Sequence, residues 1–339
     1  MDRNDVTWAG YWTAAITPFT ADGALDEDAL RSVIERSVSN GAHGICVNGS
    51  TGEWFSQTLD ERRRVAEIAV ATVAGRVPTV VGVTCSRADD AAALVEHAAR
   101  TGATSVIASP PPLARPTTDE LENYYREVFG AAPIPAWLYN FPQDNGHHVS
   151  VPELARLAEI PTVVAVKQSA PGMGEFIETI DAVGATLRVF GNMLNRVGFA
   201  LIRGGFGGDG HFGSGMLLGA DMPGFFEAAW QGDAVRAYAI VHRFEKLMAG
   251  LAGDRADGYN WAFGGMQPTL KAAMNILGES GGYPRKPKLP VEDPAALASI
   301  RRILQDVGLA PSPTAREAEV TEGKRSRAGP SFGSTRPDP

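Results

Sequence analysis

Eight short apolar runs recur along the chain at residues 13–19, 44–49, 78–84, 105–110, 135–141, 163–168, 187–192 and 208–214, the last the least distinct. Runs of this kind, without polar alternation and bounded by Gly, Pro or Ser, predict strands covered on both faces. The stretches between them carry helix-start signals. Thr58-Leu59-Asp60-Glu61, Thr117-Thr118-Asp119-Glu120 and Ser150-Val151-Pro152-Glu153 each fit a capping box, in which the first hydroxyl and the fourth carboxylate satisfy free backbone amides. Eight strand-helix units in succession predict an α/β fold of one kind, a closed parallel (β/α)8 TIM barrel rather than an open sheet.

Beyond the eighth run the pattern is helical only, with candidates at 225–230, 234–251, 269–277 and 294–307. These predict a C-terminal helical appendage, dividing the chain into a barrel at 8–220, packing helices at 221–310 and a tail at 311–339. Pro311-Ser312-Pro313 and the Ser-, Gly-, Arg- and Pro-rich stretch after it predict disorder in that tail. A length of 339 residues with 44% hydrophobic content suits one large domain with such an appendage. The formal charge of -8 has no basic stripe within it, which argues against a nucleic-acid partner. The two cysteines, Cys46 and Cys85, sit in apolar runs and read as buried reduced thiols. No apolar run approaches the ~18 residues of a membrane span, and Met1-Asp2-Arg3-Asn4-Asp5 lacks a signal-peptide core, so a soluble cytoplasmic protein is expected.

In such a barrel the reactive groups belong at the C-terminal ends of the strands. Lys167 closes the run Val163-Val164-Ala165-Val166, where burial would push its amine towards the neutral, nucleophilic form. Tyr139 lies 28 residues earlier, about one strand-helix-strand unit, so the two fall on neighbouring strands at the same end. Gly49-Ser50-Thr51 leaves the second strand through a small, hydroxyl-rich turn that suits a carboxylate. Together these groups imply Schiff-base chemistry. Around them, Trp54 and Phe55 offer apolar wall, while Asp144, Asn145, His147, His148, Ser169 and His211 offer polar contacts. The six histidines show no i, i+4 pair beside a glutamate, which speaks against a metal site. Gly204-Gly205-Phe206-Gly207-Gly208 has the composition of a phosphate loop, yet no Walker lysine follows it.

Gly49-Ser50-Thr51-Gly52-Glu53, Leu138-Tyr139-Asn140-Phe141-Pro142 and Val166-Lys167-Gln168-Ser169 stand in this order and spacing. They resemble the family of dihydrodipicolinate synthase and N-acetylneuraminate lyase, over roughly residues 13–309. The resemblance implies a class I aldolase that needs no metal or other cofactor beyond a covalent imine, usually a homotetramer, with a 2-oxo acid and an aldehyde as small-molecule partners. It implies Lys167 as the imine-forming residue, Tyr139 as proton relay, and Ser50 and Thr51 as the carboxylate holders. Thr51 is counted with the catalytic group, and Gly49, Asp144, Ser169 and His211 with the substrate-binding one. Two departures point away from the synthase itself. Where that branch has an arginine to grip a distant carboxylate, this chain has Gln143-Asp144-Asn145-Gly146. Where it has a second tyrosine after the fourth strand, this chain has Pro110-Pro111-Pro112-Leu113. The expected function is therefore aldol cleavage or condensation at pyruvate, or dehydration of a 2-oxo-3-deoxy acid. 4-Hydroxy-tetrahydrodipicolinate synthase activity and a noncatalytic 2-oxo-acid-binding protein are the alternatives.

Overall fold

The computed structural model describes residues 1–253 and 261–310; the expected tail at 311–339 lies outside the described residues. Eight parallel strands form one closed barrel in sequence order: β1 (Gly10–Ala14), β2 (Gly44–Val47), β3 (Thr79–Gly82), β4 (Ser105–Ala108), β5 (Ala136–Asn140), β6 (Val163–Gln168), β7 (Arg188–Gly191) and β8 (Gly210–Ser214). Closure is made by β1 against β8, paired from Gly10 with Gly210 through to Ala14 with Ser214. The chain is thus a (β/α)8 barrel, with helices between the strands and further helices after them.

Seven strands fall within their expected runs, and β1 does not. It starts at Gly10 and ends at Ala14, whereas the run at 13–19 was expected to be the strand. Residues 15–19 are apolar because they pass beneath C-terminal segments. Pro18 has no amide for a ladder, and Phe19 instead makes isolated antiparallel bridges with Leu25 and Tyr283.

The barrel interior is filled with rings. Trp12, Trp137, Phe190 and Phe212 point inward, and Trp8, from the segment before β1, stacks on Trp137 with centroids 4.9 Å apart and planes at 8°. Trp12 lies 5.0 Å from Trp137 and 5.5 Å from Phe190. Glycines make room for these rings. A Cβ on Gly44 would fall 2.3 Å from the Trp12 indole, and one on Gly210 would fall 2.4 Å from Phe190. Each such aromatic contributes roughly 1.5–3 kcal/mol through burial. The N-terminal half of the barrel interior is therefore filled by rings, and the cleft between the strands opens at the C-terminal rim.

Helix Asp221–Gln231 follows β8 and packs on β1, filling the eighth place of the outer ring. The ring consequently runs past the expected boundary at 220. Helices Ala234–Ala252, Met266–Ile276 and Pro294–Asp306 form the appendage, and Met266–Ile276 reaches back to the turn after β2. Among the described residues no helix is long and apolar enough to cross a membrane.

Candidate active site

Strand parity aims Ala14, Cys46, Gly82, Ile107, Tyr139 and Lys167 at one cleft at the C-terminal rim, which Asn48, Gly49, Ser50, Thr51, Trp54 and Thr84 complete. Lys167 is 9% exposed, and it pairs in register with Tyr139 across β5 and β6. Its Nζ stands 4.1 Å from the centroid of the Tyr139 ring and 4.7 Å from that of Phe212. Burial lowers the amine from its usual range to about 8; the thiol of Cys46 beneath it and the carboxyl of Asp144 pull the other way. Cys46 itself is pushed up to about 12 by burial, so it remains a thiol beside the amine.

The turn after β2 forms the second wall. Ser50–Gly52 is a single 3-10 turn entered through Gly49 and left through Glu53. The Thr51 hydroxyl lies 3.2 Å from the hydroxyl of Ser214 at the end of β8, and the Ser50 carbonyl accepts from Gln267 Nε2 at 3.1 Å. Gly82 lets this turn settle onto β3. A Cβ there would sit 2.0 Å from the Asn48 carbonyl oxygen.

Asp144 belongs to the short helix Pro142–Asn145 above β5. Burial raises its carboxyl above the ordinary range, opposed by the Ser50 hydroxyl and by the ammonium groups of Lys288 and Lys167. The loop that carries it is pinned by Asn140, whose amide donates to the Val149 carbonyl at 2.8 Å and accepts the Val149 amide at 3.1 Å. Ser169 extends the β5–β6 ladder by donating its amide to the Asn140 carbonyl at 2.8 Å, and its side chain is half-buried at the rim.

The structure does not bring His211 into the cleft, contrary to the expectation from sequence. It lies on the outward parity of β8, stacked against Tyr11 with centroids 5.7 Å apart and edge-on to Phe244 of the appendage. Its Nδ1 accepts the Leu194 amide at 3.3 Å, and burial lowers the imidazole to about 3. His148 pairs with Glu175 at 2.6 Å on the surface, and neither His147 nor His148 lines the cleft. Trp54 does line it, whereas Phe55 is exposed. The glycine-rich stretch 204–208 precedes β8 and so lies at the opposite end of the barrel, with Gly207 and Gly208 against Ile180 and Met193. The sequence reading did not place Cys46, Ser214 or Gln267 at the site, although it read Cys46 as the buried thiol that it is. Cys46 sat in an apolar run that gives no inward or outward signal, and Gln267 is distant in sequence.

The class that fold and site define is a (β/α)8 barrel with a buried amine and a hydroxyl-rich turn at its catalytic-face rim. Residues 7–306 match the model of the dihydrodipicolinate synthetase family, and the chain belongs to that family. A 4-hydroxy-tetrahydrodipicolinate synthase of Acidiphilium cryptum is 30% identical over 88% of this chain and 98% of its own length. An uncharacterized DapA-like lyase of Rhizobium meliloti is 29% identical over 88% and 95% respectively. The crystal structure of dihydrodipicolinate synthase from Aquifex aeolicus superposes with a TM-score of 0.77 at 27% identity, covering 90% of this chain and all of that one.

Proposed function

We propose that this chain is a class I lyase acting on pyruvate or a 2-oxo-3-deoxy acid through an imine at Lys167. The observation that carries the reading is the Lys167 amine, desolvated and register-paired with Tyr139 in a cleft whose facing wall is the Ser50-Thr51 turn. The neutral amine adds to the 2-oxo carbon, and loss of water gives an iminium. In the cleavage direction the iminium takes up the electron pair of the C3–C4 bond, the aldehyde leaves, and protonation of the enamine at C3 followed by hydrolysis returns pyruvate and the free amine. In dehydration the same iminium acidifies C3–H, and hydroxide is lost from C4 as water after protonation. Tyr139 moves the protons, while Ser50 and Thr51 hold the carboxylate through hydroxyl and amide donors. Substituting phenylalanine for Tyr139 removes a proton carrier, with an expected loss of about 10² to 10⁴ in turnover. The Lys167 imine serves in place of any added cofactor or metal. By family resemblance the working form is a homotetramer.

Asp144 sets the character of the second partner. Its carboxyl, on the short helix above β5 and hydrogen-bonded to the Ser50 hydroxyl, opposes a substrate carboxylate and favours hydroxyls, which supports a neutral, hydroxylated aldehyde or sugar acid tail. Synthase activity is the second reading, favoured by the 30% identity to a full-length synthase.

The test is borohydride reduction in the presence of pyruvate, followed by peptide mass mapping. A reduced pyruvyl adduct on Lys167, absent in Lys167→Ala, is expected; no adduct at saturating pyruvate would overturn the imine. The same enzyme is then offered glyceraldehyde and aspartate semialdehyde with pyruvate. Preference for the neutral aldehyde is expected, and preference for aspartate semialdehyde establishes the synthase instead.

A further inference from the structure

The Ser50-Thr51 turn is bracketed by two side-chain-bearing residues in the left-handed region, Asn48 and Glu53, each at φ 56°. That conformation is unfavourable for such residues and persists only where the surroundings hold it. Asn48 is held by its own amide, which donates to the Arg62 carbonyl at 2.7 Å. Glu53 is held from the appendage. Lys271 Nζ lies 2.5 Å from Glu53 Oε1 with both side chains buried, and Glu53 Oε2 accepts the Arg285 backbone amide at 2.9 Å. Lys271 also donates to the carbonyls of Thr17 at 2.7 Å and Tyr283 at 2.8 Å. Its three donors thus join the exit of β1, the turn after β2 and the segment around Tyr283.

Four residues earlier on the same helix, Gln267 grips the Ser50 carbonyl. Residues four apart share a helix face, so both contacts arrive from one rigid surface. An apolar side chain of similar volume in place of a buried ion pair is often no less stable, so burial of Lys271 and Glu53 is poorly explained by stability alone. What the pair supplies is a fixed position and direction for the turn.

We propose that Gln267 and Lys271 are positioning residues that hold the Ser50-Thr51 turn at the spacing from Lys167 that the carboxylate of a 2-oxo acid requires. The proposal rests on the imine reading and deepens it: the appendage helix Met266–Ile276 becomes part of the substrate-binding apparatus without touching substrate.

The experiment measures the pyruvate concentration giving half-maximal borohydride trapping at Lys167, together with Tm, in the full chain and in Gln267→Met, Lys271→Met and Lys271→Arg. Misplacement of a binding group by about 1 Å can cost on the order of 10²-fold. A rise of about tenfold or more is expected in Gln267→Met and Lys271→Met, with adduct still forming at saturation. Lys271→Arg, which keeps the charge and several donors, is expected to recover much of the affinity. Should Lys271→Met fail to fold, Gln267→Met decides, because it leaves the ion pair in place. Unchanged half-saturation in a folded Gln267→Met overturns the proposal while leaving the imine intact. Absence of any adduct in the unmodified chain removes the imine reading first, and the proposal with it.

Discussion

An amine at about 8 is still largely protonated at neutral pH, so about a tenth of Lys167 is nucleophilic at pH 7. The neutral fraction grows as pH rises, and the rate of imine formation with pyruvate is expected to climb towards a plateau above about pH 8. Asp144 favours the ammonium form, so Asp144→Asn lowers the amine further and moves the midpoint to lower pH. Stopped-flow measurement of imine formation from pH 6 to 9 checks both, and a midpoint unmoved in Asp144→Asn would detach that carboxyl from the amine. Lys167 was legible in the sequence because it is a cationic group closing one of the eight strand-like apolar runs. His211 was misread for the complementary reason. Strands buried on both faces lose the polar-apolar alternation that tells inward from outward, so a histidine facing the outer layer and a cysteine facing the cleft carry the same sequence signature.

At the level of elements, the helix starts were the clearest feature. In the box at Thr58 the backbone amide donates to Glu61 at 2.8 Å and the hydroxyl accepts the Glu61 amide at 3.2 Å; that at Thr117 forms in the same way, and at Ser150 the backbone amide and the hydroxyl both donate to Glu153, at 2.9 and 2.7 Å. Local hydrogen bonding of this kind depends on four consecutive residues, which is why it reads directly. The first strand depends on distant partners and was displaced, because packing beneath Tyr283 made residues 15–19 look like a strand. The eighth was faint because Gly210 and Gly213 yield their side-chain space to Phe190 and Tyr11. Gly82 belongs to the same group, its neighbour being backbone rather than a ring. Gly82→Ala must displace the Asn48 carbonyl, and the turn with it. A loss of roughly 1–3 kcal/mol in stability is expected from overpacking, accompanied by weaker pyruvate binding. Denaturant unfolding and pyruvate titration measure the two, and a variant with wild-type values in both would contradict the close approach.

Across the whole molecule, His211 is a wedge between barrel and appendage, neutral when folded. Its folded value of about 3 lies below the ordinary 6.5, so the unfolded chain binds more protons between those limits. Its effect on stability is therefore absent above about pH 6.5 and grows as pH falls towards 3, by up to ~1.4 kcal/mol per pH unit. His211→Phe keeps the ring but not the titration. Between pH 6.5 and 5 it is expected to lose about 1–2 kcal/mol less than the unsubstituted chain, read from denaturant midpoints at the two pH values. Equal losses would place the acid sensitivity elsewhere, for instance at the other buried ionisable groups. This contact joins a β8 residue to Phe244 of the appendage, and no short-range pattern could have announced it.

The stack of Trp8, Trp12 and Trp137 has a kinetic corollary. With one end of the barrel stoppered by indoles, the cleft opens at the rim, and on the proposed mechanism reactants, products and the water that hydrolyses the imine would share that doorway. On that mechanism the aldehyde is set free by C–C cleavage, before water hydrolyses the imine. The lyase proposed above would therefore release its products in order in the cleavage direction, aldehyde ahead of the covalently held pyruvate, and the closed end of the barrel leaves the rim for both.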